Sequence, residues 1–337
     1  MKHIFIVNSI SGKGKGLALA DTIKQACKEL AVDYEIITTE YVGHAKEIAA
    51  KYTSKDDVTL YAVGGDGTLL EIVNGLDHKI PLGAIPGGSG EDFLRYFHLD
   101  IKDMKKYIID TIKAEPILID IGETDRMKFL NTTSFGIDAT INEEASQLIR
   151  KTFITKGPAY ILSIIKNVII IRATKARIVI DGKRCDDDYL IVACMNGKYY
   201  GNGVCAAKHS NISDGYFDLV RLHKIKGLSV YKHIVYYLTG KGEKSSEIKI
   251  DHAKHIVVDT DKMINIQSDG ENYKSDHLEI TILEKYLKLK IPQQKQKMLG
   301  DDDLTNISGG ELPTNGFSDF LKKIGKAIKD VTKPIVK

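Results

Sequence analysis

The sequence predicts an α/β fold in two parts: an N-terminal open parallel α/β domain over residues 1–115, followed by a β-sandwich domain over residues 116–290. Three observations carry this expectation. Within the first 115 residues, β-rich runs end in glycine clusters and lead into helix-compatible segments three times. That is the pattern of an open parallel sheet with ligand loops at the carboxyl ends of its strands. Beyond Pro116, candidate strands crowd together, separated by Asp181-Gly182, Asn196-Gly197, Asp214-Gly215 and Asp269-Gly270, as in a sandwich. The length of 337 residues leaves room for two cores.

The organising stretch lies at residues 58–71. A β-branched, apolar run from Val58 to Val63 ends in Gly64-Gly65-Asp66-Gly67-Thr68, and an apolar helical run begins at Leu69. Glycines let backbone amides approach a phosphate with no Cβ in the way. The helix start adds a positive dipole end. Asp66 repels a phosphate by its own charge, so it points to a metal ion or a proton. An ordinary glycine turn would have the same composition, so the motif gains weight from its neighbours.

The first neighbour precedes it. Residues 3–8 read as a buried parallel strand, followed by Asn8-Ser9-Ile10-Ser11-Gly12-Lys13-Gly14-Lys15-Gly16. Lysines among glycines suggest an anion site. A helix follows with Leu17, Ala20, Ile23, Cys27 and Leu30 on one face. Tyr34–Thr39 is the next strand, then a helix with Ala45, Ile48, Ala49 and Tyr52 on one face. His44 at its start has no carboxylate partner in sequence and reads as solvated. Ile80–Ile85 is a short strand running into the third loop, Pro86-Gly87-Gly88-Ser89-Gly90-Glu91-Asp92-Phe93. A helix over 101–113 closes the domain.

In the second part the strand candidates are 117–121, 128–133, 176–181, 189–194, 216–223, 248–251, 255–259, 264–268 and 277–283, with helical interruptions near 141–149 and 159–170. Cys27, Cys185, Cys194 and Cys205 show no paired metal-ligand spacing and read as reduced thiols.

The motif Gly64–Thr68, with its apolar helix and Asn74-Gly75, resembles the signature of the diacylglycerol kinase family of lipid kinases. The wider group with this motif includes sphingosine kinases and NAD kinases. Other segments match the lipid kinases in order. Residues 8–14 resemble N-P-x-S-G-x-G, with Ser9 for the proline. Thr39 to Ala45 resembles T-x-x-x-G-H-A. Residues 86–93 resemble P-x-G-T-G-N-D-F, with Ser89 for threonine and Glu91 for asparagine. Leu70 stands where asparagine is common. Asn131 to Asp138 resembles a segment N-x-x-x-x-G-x-D, and Asp269-Gly270-Glu271 a D-G-E motif. The resemblance covers about residues 1–290 and implies the same two-domain plan.

It also implies roles. ATP would meet Asn8, Ser11, Gly12, Thr39, Gly64, Gly65, Asp66, Gly67, Thr68 and Ser89. Glu271 would be the catalytic base, and Asp66 would manage Mg²⁺ directly or through water. Asp214, with carbonyls of Asn211 and Tyr216, would form a structural Mg²⁺ site. Asp120 and Asp138 would support the site between the domains. The activity implied is ATP- and Mg²⁺-dependent phosphorylation of a diacylglycerol-like lipid at a membrane surface. Two alternatives stay open. One is an NAD kinase-like enzyme. The other is an inactive kinase-like carrier or immunity module for a C-terminal peptide, a reading that Glu91 and Leu70 favour.

Charge and hydropathy bound the partners. Net charge is +3, and residues 311–337 hold six lysines against three acidic residues, so the remainder sums to zero. This does not suggest a nucleic-acid-binding core. No apolar run reaches the length of a membrane span, and the N-terminus lacks the pattern of a signal peptide. The expected location is the cytoplasm, peripheral to the inner membrane face.

Residues 291–310 read as a linker ending in Gly309-Gly310, which resembles a double-glycine leader. Residues 311–337 read as a cationic amphipathic helix, with Phe317, Phe320, Leu321, Ile324, Ile328 and Val331 on one face. It resembles a bacteriocin-like peptide. Two fates compete: docking on the membrane, or cleavage and export by a peptidase-containing exporter. A homodimer is compatible with the sequence.

Overall fold

The computed structural model describes residues 1–292 except 89, 100, 138, 140–172, 202, 226 and 228. Ser89, Asp138, the helices expected near 141–149 and 159–170, most of the linker and the C-terminal peptide therefore lie outside the described residues. Residues Met1–Pro292 form one compact unit.

Four parallel strands build the first sheet: β1 (Lys2–Asn8), β2 (Tyr34–Thr39), β3 (Val58–Gly64) and β4 (Leu82–Pro86), in spatial order β2-β1-β3-β4. Their side chains alternate between two cores, as the period of two requires. On one face, Ile4, Ile6, Leu60, Ala62, Leu82 and Ala84 pack with helices α3 (His44–Ala49) and α4 (Asp66–Val73). On the other, Phe5, Val7, Tyr61, Val63 and Ile85 pack with α2 (Ala20–Leu30) and α6 (Met104–Lys113). Two short helices, α1 (Lys15–Ala18) and α5 (Asp92–Arg95), follow the first and third glycine loops. Leu17 departs from the expected apolar face: it is 50% exposed, because the 11–30 segment breaks between α1 and α2.

The second part is antiparallel: β5 (Ile117–Thr124), β6 (Lys128–Phe129), β7 (Thr132–Gly136), β8 (Thr174–Ile180), β9 (Lys183–Met195), β10 (Phe217–His223), β11 (Ile248–Ala253), β12 (His255–Ser268) and β13 (Glu271–Lys290). These form a β-sandwich around a core that includes Phe129, Phe135, Ile178, Val192, Phe217, Ile256 and Ile280. A helix, α7 (Val230–Leu238), joins β10 to β11.

Three expectations change. The run 128–133 splits into β6 and β7, because the Asp269 carboxylate takes the amides of Leu130, Asn131 and Thr132 that a continuous strand would use. The strands expected at 255–259 and 264–268 are one, with a register shift between Asp259 and Ile264. The strand expected at 277–283 runs on for 20 residues. It pairs first with β12, then with β5, and its end pairs parallel to β4 through Leu289↔Leu82 and Lys290↔Gly83. The last strand of the chain's second part thus extends the first sheet.

Candidate active site

The three glycine loops close on one another at the carboxyl ends of β1, β3 and β4. A Cβ on Gly12, whose φ is +58°, would meet the Gly87 carbonyl at 2.7 Å. A Cβ on Gly65 would meet the Gly90 carbonyl at 2.9 Å. Only glycine permits these approaches. Hydrogen bonds lock the arrangement: the Gly87 amide donates to the Gly64 carbonyl, and the Asp66 amide to the Gly90 carbonyl.

Asn8 organises the first loop. Its Oδ1 accepts from the amides of Ile10 and Ser11 at 3.0 and 3.1 Å, and its Nδ2 donates to Thr68 Oγ1 at 3.0 Å. Ser9 Oγ donates to the Thr39 carbonyl at 3.1 Å. The structure therefore brings together Asn8, Ser11, Gly12, Thr39, Gly64, Gly65, Asp66, Gly67 and Thr68. His44 is used locally, accepting from the Glu40 amide and stacking on Tyr41.

The Asp66 carboxylate is turned inward. It accepts from the amides of Asp92 and Phe93 at 2.9 and 3.2 Å, and burial pushes its pKa up against the opposing pull of these amides and Arg95. Glu91 is half-buried; burial, then the Asp66 charge, raise its pKa, against the Gly88 amide, Lys15 and Arg95. Arg95 lies 5.8 Å over the Tyr199 ring. It is the cation of this centre that motif reading did not single out. Leu70, the other departure from the family pattern, is buried.

The Asp-Gly-Glu turn lies at the junction of β12 and β13. Asp269, itself unremarked as a functional group in the sequence, is its anchor. It accepts from the amides of Leu130, Asn131 and Thr132. The residue keeps some exposed surface, but its carboxylate is enclosed, and burial pushes its pKa up to about 7. The Asp66 charge adds to that rise, and Leu130, whose amide the carboxylate accepts from, packs in the same core as Leu69 and Phe93. Glu271 follows the turn and is exposed. Asn131 Oδ1, Thr132 Oγ1 and Asn196 Oδ1 are buried here with no hydrogen-bond partner, an arrangement that leaves acceptors in reserve for a polar ligand.

Asp120 is fully buried. Its two carboxylate oxygens accept from the amides of Gly215 and Lys285, each at 2.7 Å, so it ties the 211–216 loop to β13. Asp214 is exposed and accepts from the Tyr216 amide at 3.0 Å, capping its own turn. Asn211 Oδ1 accepts from the Ser213 amide and hydroxyl. Among the described residues no group of three or more His, Cys, Asp or Glu side chains is placed to hold a metal ion. The 211–216 loop would have to rely on carbonyls beside a single carboxylate, a donor set that suits a hard cation.

The diacylglycerol kinase catalytic domain matches residues 2–124, and the YegS C-terminal NAD kinase beta sandwich-like domain matches residues 131–290. The chain belongs to the diacylglycerol kinase family of lipid kinases.

A diacylglycerol kinase of Bacillus subtilis (strain 168) is 26% identical over 273 residues, covering 80% of this chain and 89% of that protein. One from Staphylococcus saprophyticus is 28% identical over 274 residues, covering 79% and 87%. A crystal structure of a diacylglycerol kinase from Bacillus anthracis str. Sterne shares the fold of this family member. Its TM-score is 0.66 at 21% identity, over 86% of this chain and 96% of that one. Among the described residues, no helix is long and apolar enough to cross a membrane.

Proposed function

We propose that this lipid kinase transfers the γ-phosphoryl group of ATP to the hydroxyl of a diacylglycerol-like lipid. The observation that carries the reading is the closure of three glycine loops around Asp66, together with an Asp269-anchored turn that leads into the exposed Glu271. Glycine-loop amides, with Lys15 and Arg95, would bind the phosphates. Thr39 and Asn8 would hold the walls of the nucleotide cleft.

Phosphoryl transfer is mainly positioning and charge neutralisation. The lipid hydroxyl oxygen forms the new bond to phosphorus as the bond to the ADP oxygen breaks. Glu271 takes the hydroxyl proton, a role its exposed position on a fixed turn allows. The Asp66 carboxylate would offer one oxygen ligand to a hard cation beside the phosphate cradle, and the Asp214 loop would hold a second, structural one. Mg²⁺ bound there would neutralise phosphate charge.

The partner is a lipid at the membrane surface. Residues 311–337, if they form the cationic amphipathic helix that their sequence spacing predicts, would add membrane affinity; cleavage at Gly309-Gly310 by an exporter is the weaker alternative. Phosphate transfer from labelled ATP to diacylglycerol in mixed micelles tests the reading, using full-length protein and a chain ending at Pro292. Transfer by both is expected, with a lower apparent KM for lipid in the full-length protein. No transfer with any diacylglycerol or related lipid alcohol would refute it.

A further inference from the structure

Helix α4 carries Asp66 in its first turn, and Asn74 caps its carboxyl end. The Asn74 carboxamide is engaged through both its atoms. Oδ1 accepts from the Lys128 amide at 2.9 Å. Nδ2 donates to the Lys128 carbonyl at 3.0 Å and to the Leu70 carbonyl of its own helix at 2.9 Å. An asparagine side chain has one acceptor oxygen and two N–H donors, and only this orientation matches both backbone groups of Lys128. It serves Lys128 as a neighbouring strand would, from 54 residues away in the chain. On its other edge β6 pairs with β5, through Glu123↔Lys128 and Gly122↔Phe129. The turn after Asn74 is equally tight: a Cβ on Gly75 would lie 2.2 Å from the Lys46 carbonyl of α3.

Phe129 completes β6, and the next three amides, of Leu130, Asn131 and Thr132, donate to the Asp269 carboxylate. The Asp269 amide donates in turn to the Thr132 carbonyl at 2.9 Å. Glu271 then opens β13. Resting on the reading that Asp66 serves the phosphates and Glu271 takes the hydroxyl proton, we propose that Asn74 is a positioning residue for phosphoryl transfer. Its carboxamide ties the helix that carries Asp66 to the strand that leads into the seat of the Glu271 turn. In-line transfer needs donor and acceptor sides held in register. Bonds directed at the backbone suit this task, because they fix α4 against β6 whatever side chain stands at 128. Without them β6 keeps its pairing to β5, and Asp269 keeps its three amides. The fold then persists while the two sides lose their fixed spacing.

Steady-state kinetics of the full-length protein, with ATP, Mg²⁺ and diacylglycerol in mixed micelles, test this in Asn74→Ala, Glu271→Gln and the double variant. Asn74→Ala is expected to lower kcat about 10²-fold, the scale of a misplacement made far from the reacting atoms. KM for ATP should stay within about twofold of wild type, because the glycine loops keep their own contacts. In the Glu271→Gln background the same substitution should lower the residual kcat by less than about threefold, since residues acting as a unit are not additive. Near-normal kcat in an Asn74→Ala protein that melts cooperatively overturns the inference. So does a raised KM for ATP at unchanged kcat, or a loss as large in Glu271→Gln as in wild type. If Asn74→Ala loses its cooperative melt, Asn74→Asp takes its place: its carboxylate still accepts from the Lys128 amide but donates nothing, and an unchanged kcat there is the overturning result. Near-normal kcat in Glu271→Gln alone would overturn the assignment of the base itself, and this inference with it.

Discussion

Gly65 and Gly88 are pressed together so closely that a Cβ on Gly88 would lie 2.3 Å from the Gly65 Cα. The two residues belong to loops after different strands, and their contact closes the cradle. Gly88→Ala must therefore separate the loops. We expect a loss of about 1–3 kcal/mol in unfolding free energy, the usual cost of overpacking. ATP affinity should fall by more than this instability explains. Urea denaturation and ATP titration on the same sample check both.

Glu271 and Asp269 sit two residues apart but differ in kind. Glu271 is exposed, so Glu271→Gln should leave unfolding free energy within about 0.5 kcal/mol of wild type. Turnover should fall about 10²–10⁴-fold, the range for loss of a general base. Near-normal kcat on a lipid acceptor would remove Glu271 from the mechanism.

Asp269 should show itself in the pH dependence of stability. Its folded pKa, pushed up to about 7, lies above the value of about 3.9 for an unfolded carboxyl. The folded chain thus holds a proton that the unfolded chain releases. The stabilisation is complete below about pH 4 and is lost as pH rises towards 7, by at most about 4 kcal/mol. Asp269→Asn removes this titration and misplaces an amide NH₂ against backbone donors, at a cost of about 1–3 kcal/mol. The advantage of wild type over the variant should be widest near pH 4, and towards pH 8 it should close or reverse. A gap that does not vary with pH would contradict the assignment.

Asp120 links the 211–216 loop to β13 through two buried amides. Asp120→Ala leaves both without an acceptor and should cost about 2–4 kcal/mol. Asp214→Ala, at an exposed turn, should cost well under about 1 kcal/mol in metal-free buffer. Thermal melts with and without Mg²⁺ separate the two: stabilisation by Mg²⁺ that Asp214→Ala abolishes would support a cation in this loop.

Much of this was legible from sequence. β2 runs from Tyr34 to Thr39 as its composition predicts, and Ala45, Ile48 and Ala49 are buried on one face of α3. Gly12, Gly65 and Gly88 announce a close backbone approach by their residue type alone. Local periodicity and turn chemistry are enough for such features, because the forces act within a few residues. The D-G-E motif drew attention to Glu271, yet the residue that fixes the turn is its aspartate.

What only the tertiary structure decided are pairings across long stretches of chain. Asp269 reaches Thr132 across 137 residues, Asp120 reaches Lys285 across 165, and Leu289 joins the first sheet at Leu82. A buried carboxylate needs donors, but nothing local says which amides will supply them. A long strand shows its alternation but not its neighbours. Sequence determined the phosphate-type loops and the two-part α/β and β-sandwich plan. Folding decided that the Asp66 carboxylate takes the amides of Asp92 and Phe93 and the Asp269 carboxylate those of Leu130, Asn131 and Thr132, because burial forces charges to find donors that the chain keeps far apart.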